Sequence, residues 1–146
     1  MNILAAIDFS PVTEQVLQAL ERIGTSMPAH VWLVHVAPPD PDFVGYDTGP
    51  DGVRSQVAVE HHERHRALQA YADRLRKAGV ETTALLLQGA TVETLMSEAE
   101  RLSASLIVLG SHGHGRIYDM LVGSVAEGVV RASTLPVLLV PAQRGT

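Results

Sequence analysis

Residues 110–124, GSHGHGRIYDMLVGS, combine four glycines with two histidines directly after the apolar run LIVL. Three of the glycines and one serine have the spacing Gly110-x2-Gly113-x9-Gly123-Ser124. Glycine lets the backbone turn tightly and lets its N–H groups approach a bound anion. Because Gly123 and Ser124 precede a segment with helical periodicity, the unpaired N–H groups and the dipole at that helix start favour negative charge. The spacing therefore predicts a phosphate site made of neutral groups.

Asp8 is the second residue that suggests a ligand contact, since it follows the first apolar run of the chain and begins Asp8-Phe9-Ser10-Pro11. One interpretation is that its carboxylate contacts a ligand. The other is that it only stabilises the start of the next helix, where acidic side chains are favoured. Both interpretations stay open from the residues alone.

Five short apolar runs are continuous rather than alternating, which is typical of parallel strands that are covered on both faces. They span residues 3–7, 31–36, 82–87, 106–109 and 137–140. Segments with helical spacing of apolar residues separate them. Their starts are predicted from Ser10-Pro11, from Thr91, and from Ser124 to Glu127, which has the form of a capping box.

The resulting order, in which strands and helices alternate, predicts an α/β fold with one doubly wound, five-stranded parallel sheet and helices on both faces. We expect the strand order 3-2-1-4-5 in a single domain that spans residues 1–146. In such a sheet the winding reverses between strands 1 and 4, and ligands bind beyond the carboxyl ends of the strands at that reversal. Asp8 and the glycine-rich segment would both stand at this crevice.

The composition excludes several classes of function. The net charge of −5 disfavours a general nucleic-acid surface, and the absence of cysteine excludes disulfides, thiolate metal sites and cysteine nucleophiles. No apolar run is long enough to span a membrane and MNILAAIDFSP does not have the form of a signal peptide, so we expect a cytoplasmic protein.

The residues quoted so far resemble the universal stress protein family, and within it the branch that binds ATP. That branch carries G-2x-G-9x-G-[S/T], which residues 110–124 match without a gap. The similarity extends to AIDFS, VHV, LVGSVAEGVVR and PVLLVP, and so covers nearly the whole chain. The resemblance implies a Rossmann-like fold of the adenine nucleotide alpha hydrolase type.

The resemblance also implies ATP as the ligand, together with magnesium or manganese, and it implies contacts position by position. Asp8 would lie against the adenine or the ribose, and Val36 would meet the adenine edge through its main chain. The implied set is Ala6, Ile7, Asp8, Val36, Leu109, Gly110, His112, Gly113, Gly123, Ser124 and Val125. The residues up to Leu109 would surround the base, and the remainder would surround the ribose and phosphates.

Three functions fit these features. The first is an ATP-binding regulatory homodimer of the stress-response type, paired through the final strand, which is an edge strand with exposed ladder groups. The second is an enzyme, but no evident base, nucleophile or arginine finger is present, so we expect at most slow ATP hydrolysis. The third is a nucleotide-free dimer that docks a partner protein. A neutral phosphate site also admits AMP or cyclic AMP.

The remaining polar motifs favour ordinary structural roles. His112 and His114 lie two apart, and HHERH places His61 and His65 on one helical face, but metal sites normally need three or four ligands. We expect no protein metal site. The segment 37–52 is rich in proline, glycine and aspartate and is predicted to be a loop, either a lid over the crevice or a plain surface connection.

Overall fold

The computed structural model of the protein describes residues 1–39, 51–112 and 122–143, with the side chains of residues 51–59 left aside. Within these ranges, five strands alternate with four helices. The elements are β1 (Asn2–Ala6), α1 (Thr13–Ser26), β2 (His30–Ala37), α2 (Asp51–Lys77), β3 (Glu81–Gln88), α3 (Thr91–Arg101), β4 (Leu106–Gly110), α4 (Ser124–Ala132) and β5 (Val137–Val140). None of the described helices is long and apolar enough to cross a membrane.

All strands pair in parallel, in the order β3-β2-β1-β4-β5, which confirms the predicted topology. β1 is the central strand. Its Ala6 is level with Val34 of β2 on one side and with Leu109 of β4 on the other. The carboxyl ends of β1, β2 and β4 therefore meet at one edge of the sheet.

The core consists of two layers, one on each face of the sheet. Alternate residues of β1 supply both layers, with Ile3 and Ala5 packed on the α1 and α2 side and Leu4 on the α3 and α4 side. The buried helix residues include Leu17 of α1 and Leu95 of α3. Because both faces are covered, the strands are apolar throughout, which explains their continuous rather than alternating runs.

Arg74 links α2 to α1 on the first of these faces. Its guanidinium donates to both carboxylate oxygens of Glu14, at 2.7 and 3.0 Å, and to Oε1 of Glu21 at 2.8 Å. These hydrogen bonds raise the pKa of Arg74 and lower that of Glu14. They connect α2, the helix that borders the candidate site, to α1.

The predicted N-cap residues were wrong at three helices. α1 begins at Thr13 rather than at Pro11, because Ser10 belongs to a preceding turn in which its carbonyl accepts from the Thr13 N–H at 3.0 Å. Thr91 is the first residue of α3, after Ala90, and not a cap. Gly123 is the N-cap of α4, with no side-chain cap bond, so the capping box from Ser124 does not form.

The predicted loop 37–52 was also too long at both ends. Ala37 is the last residue of β2, where it pairs with Gln88, and α2 already begins at Asp51. Residues 40–50 of this segment lie outside the described residues. The alternative that the segment forms a lid over the crevice concerns those residues.

Candidate functional site

The candidate site begins where β1 and β4 end side by side. The pairing of Ala6 with Leu109 makes Ile7 and Asp8 leave the sheet beside Gly110, and Ser111 and His112 follow on the same edge. The two features that the sequence analysis singled out therefore lie at one place, at the reversal of winding between adjacent strands.

The start of α4 is held against the end of β4 by a backbone hydrogen bond. The Gly123 N–H donates to the Ser111 carbonyl at 2.6 Å, while the Ser111 N–H donates to Val140 of β5 at 2.8 Å. Ser124 and Val125 follow in the first turn of α4, and both are exposed. Backbone N–H groups in a first helical turn have no intrahelical acceptor, so they are directed toward an incoming anion.

Gly110 is required by packing, independently of any ligand. A Cβ built there would lie 2.4 Å from Cγ1 of Val12, far inside contact distance. The absence of a side chain thus lets the start of α1 approach the end of β4.

Gly113 lies outside the described residues, as do His114 and Arg116. His112 is half-buried, with its Nδ1 3.0 Å from Oγ of Ser111.

Asp8 lies in a tight turn between β1 and α1. Its Oδ1 accepts a hydrogen bond from the Ser10 N–H at 3.0 Å, so the carboxylate does stabilise the approach to the helix. The next residue, Phe9, has a φ of +60°, the left-handed region that an aromatic residue seldom adopts. Such a conformation costs about 1–3 kcal/mol and persists only where neighbouring contacts impose it.

Those contacts come from β2 and α2. The Phe9 ring lies 4.6 Å from the ring of His35 and 6.1 Å from that of Tyr71, measured between centroids. His35 is buried, and its Nδ1–H donates to the Ile7 carbonyl at 2.8 Å. Burial lowers the pKa of His35, the hydrogen bond to Ile7 opposes this, nearby Arg64 lowers the pKa further, and Asp8 raises it.

A cavity of about 570 Å³ opens beside this turn, on the α2 side of the sheet. It is lined by Asp8, Phe9, His35, Pro38, Glu63, Arg64, Ala67 and Tyr71. The role of α2 in this cavity was not predicted from the sequence. The available signal was Tyr71, but its helical spacing with Leu68 and Leu75 indicates only a residue of the core-facing side.

Three predicted contact residues face away from this cavity. Ala6, Val36 and Leu109 pack their side chains into the layer on the α3 and α4 side, and Val36 and Leu109 are buried there. The Val36 side chain is therefore not available to this cavity. Within the described ranges, no three His, Cys, Asp or Glu residues are grouped closely enough to hold a metal ion.

Comparison with known proteins identifies the protein family of this chain. The model of the universal stress protein family matches residues 1–141. The chain belongs to the universal stress protein family. Universal stress protein A homolog 1 of Coxiella burnetii is 31% identical over 140 residues, which cover 95% of this chain and 94% of that protein.

Two solved structures of similar proteins share the architecture of this universal stress protein. The structure of the hypothetical protein MJ0577 superposes with a TM-score of 0.82 and 24% identity, and it covers 99% of this chain and 97% of its own. The universal stress protein from Archaeoglobus fulgidus in complex with dAMP has a TM-score of 0.67 and 25% identity, with coverage of 96% and 97%. The likeness to MJ0577 supports the fold assignment.

Proposed function

We propose that this universal stress protein binds ATP at the sheet edge between β1 and β4. The observation that carries the proposal is the Gly123–Ser111 hydrogen bond, which sets the first turn of α4 beside the end of β4, next to the Asp8 turn. A solved relative holds dAMP, an adenine nucleotide, and this supports the choice of ligand.

The phosphates would lie at the first turn of α4, where the N–H groups of Ser124 and Val125 and the Ser124 hydroxyl are exposed donors. The N–H of Gly123 is already bonded to Ser111, so its role is to place the turn rather than to donate. Gly110, His112 and Gly113 would complete the phosphate and ribose surroundings.

The base and ribose would lie toward Asp8, next to Ile7 and to the main chain of Val36. Ala6 and Leu109 would border the base through their main chain, since their side chains pack into the sheet layer on the α3 and α4 side. The adjoining cavity of about 570 Å³ lies within the range of volumes of small-molecule sites.

Magnesium or manganese would accompany the triphosphate and neutralise part of its charge. The described residues offer no cluster of three ligating side chains, so the ion would be held mainly by phosphate oxygens and water. AMP or cyclic AMP is the second candidate ligand, because a neutral set of donors tolerates several phosphate lengths and the Archaeoglobus relative holds a monophosphate.

The biological role we propose is a regulatory, stress-response homodimer in the cytoplasm whose state depends on the bound nucleotide, with at most slow hydrolysis. Among the described residues, β5 pairs only with β4, and its Leu138 is 38% exposed. An edge strand with exposed apolar side chains needs to be covered, and a second copy of β5 would do so.

The test introduces one negative charge at the proposed phosphate site and the same charge elsewhere. Ser124→Asp places a carboxylate in the first turn of α4, where it is compatible with the helix dipole but repels phosphate. Ser105→Asp is the matched control, at an exposed position before β4 on the opposite edge of the sheet. Titration calorimetry with ATP, AMP and cyclic AMP, and native mass spectrometry of the purified protein, give the readout.

We expect Ser124→Asp to weaken ATP binding about tenfold or more, equivalent to about 1.4 kcal/mol, and Ser105→Asp to leave it within about twofold. The loss should be smaller for AMP, which carries less charge. Equal affinities in the two variants would refute the proposed phosphate position. A wild-type protein that binds none of the three nucleotides would refute the proposed function itself.

A further inference from the structure

The His35 side chain replaces a main-chain hydrogen bond between β1 and β2 at the point where β1 ends. The pairing of β1 with β2 ends at Ala6 and Val34, and the Ile7 N–H still donates to the Val34 carbonyl at 2.9 Å. In a regular parallel ladder the Ile7 carbonyl would then accept from the Val36 N–H. Here it accepts instead from the side-chain Nδ1–H of His35 at 2.8 Å.

This exchange separates β1 from β2 one residue before Asp8. The His35 side chain thus takes the place at the Ile7 carbonyl that the Val36 N–H would take in a regular ladder. The Ile7 carbonyl remains hydrogen-bonded although it is buried, which is a requirement for a stable strand end.

His35 also supports the residue on the other side of Asp8. Its ring contacts Phe9 at 4.6 Å between centroids, and Phe9 has the left-handed backbone that turns the chain toward Ser10. One buried side chain thus fixes both neighbours of Asp8. The Asp8 carboxylate is held from within the turn by the Ser10 N–H at 3.0 Å.

We propose that His35 is a positioning residue for nucleotide binding, acting through the Ile7 carbonyl and the Phe9 ring to place Asp8 and the Val36 main chain. This inference rests on the proposed function, because it assigns a role within the same site. It predicts that the Nδ1–H donor matters more for nucleotide affinity than the bulk of the ring.

The same strand contains a histidine that serves as a control. His30, at the beginning of β2, stacks on Trp32 at 4.4 Å between centroids, and its Nε2 lies 2.8 Å from Oγ1 of Thr83. It is thus a partly buried, hydrogen-bonded, ring-packed histidine at the opposite end of the sheet from the candidate site. Replacing it removes comparable contacts without changing the Asp8 turn.

Three variants separate positioning from stability. His35→Phe keeps a ring against Phe9 but removes the donor. His35→Asn brings an amide N–H close to the position of Nδ1 and removes the ring. His30→Phe removes a side-chain hydrogen bond far from the site. For each variant, the ATP affinity is measured by calorimetry and the melting temperature by circular dichroism.

We expect His35→Phe to weaken ATP binding about tenfold, because a buried carbonyl loses its partner and the strand end shifts. His35→Asn should stay within about threefold of the wild type. His30→Phe should lower the melting temperature by about as much as His35→Phe does, while its ATP affinity stays within about twofold of the wild type. Rescue by His35→Asn is the result that a purely structural histidine would not give.

The hydrogen bond itself is tested without nucleotide by ¹⁵N NMR of the histidine side chains, in which His35 should have a protonated Nδ1 and a bare Nε2. A protonated Nε2 with a bare Nδ1 would overturn the inference. So would wild-type ATP affinity in His35→Phe. If the wild type binds no adenine nucleotide, the proposed function fails and the inference fails with it.

Discussion

A single buried imidazole illustrates how residue-scale chemistry sets the pH response of this protein. His35 is 8% exposed, and burial disfavours its charged form and lowers its pKa below the ordinary value of 6.5. Arg64 on α2 acts in the same direction, while the hydrogen bond to Ile7 and the charge of Asp8 oppose it. The imidazole is therefore neutral at pH 7.

The sign of the resulting pH dependence follows from proton linkage. As the pH falls below the unfolded pKa of about 6.5, the unfolded chain binds a proton that folded His35 resists, so stability decreases toward the lower folded pKa. We expect urea unfolding to show that the stability of the wild type falls more steeply than that of His35→Asn as the pH is lowered from 7 through the unfolded pKa of about 6.5. Parallel pH profiles would show that folded His35 has no lowered pKa.

At the element scale, the close approach of α1 to β4 depends on a glycine. Gly110 leaves room for Val12, which is 5% exposed, and a Cβ at Gly110 would lie 2.4 Å from it. We expect Gly110→Ala to cost about 1–3 kcal/mol of unfolding free energy, since overpacking forces the two elements apart. The cost should fall by about 1 kcal/mol or more when Val12→Ala is already present.

Urea denaturation of the four proteins in this double-mutant cycle gives the measurement. Additive effects would mean that Gly110 and Val12 do not compete for the same space. Nucleotide affinity measured on Gly110→Ala in the Val12→Ala background then reports the ligand role of Gly110 with most of the packing strain removed.

The elements themselves were predictable because each depends on a local pattern. The continuous apolar runs placed all five strands to within one residue at each end, as for 31–36 against His30–Ala37, because burial on both faces leaves the same signature wherever it occurs. The N-cap residues of α1 and α4 were not predictable. Phe9 in a left-handed conformation and the Gly123–Ser111 bond both depend on contacts distant in sequence.

The candidate site was likewise predictable only in part. The convergence of Asp8 with the glycine-rich segment followed from strand order. The part played by His35, Phe9 and Tyr71 required the packing of α2, since no sequence periodicity indicates which ring faces a turn. The double role of Gly110, which packs against Val12 as well as lying at the sheet edge, was likewise hidden in the spacing.

At the scale of the whole molecule, we propose that a second copy binds at the edge of the sheet formed by β5. We expect Leu138→Asp to convert this proposed homodimer into a monomer, because a charge would be buried in the paired strands. Size-exclusion chromatography with light scattering measures the mass. Met27→Asp, at a residue 46% exposed beyond the end of α1, is the control and should leave the mass unchanged. A monomeric wild type, or a dimeric Leu138→Asp, would contradict the proposed β5 interface.

The bond between Ser111 and Gly123 fastens both ends of the intervening eleven residues to the scaffold. Because this bond forms within the chain, the first turn of α4 is already in place before any ligand arrives. No part of the binding free energy is then needed to bring that turn to the sheet edge, which favours tight binding through preorganisation.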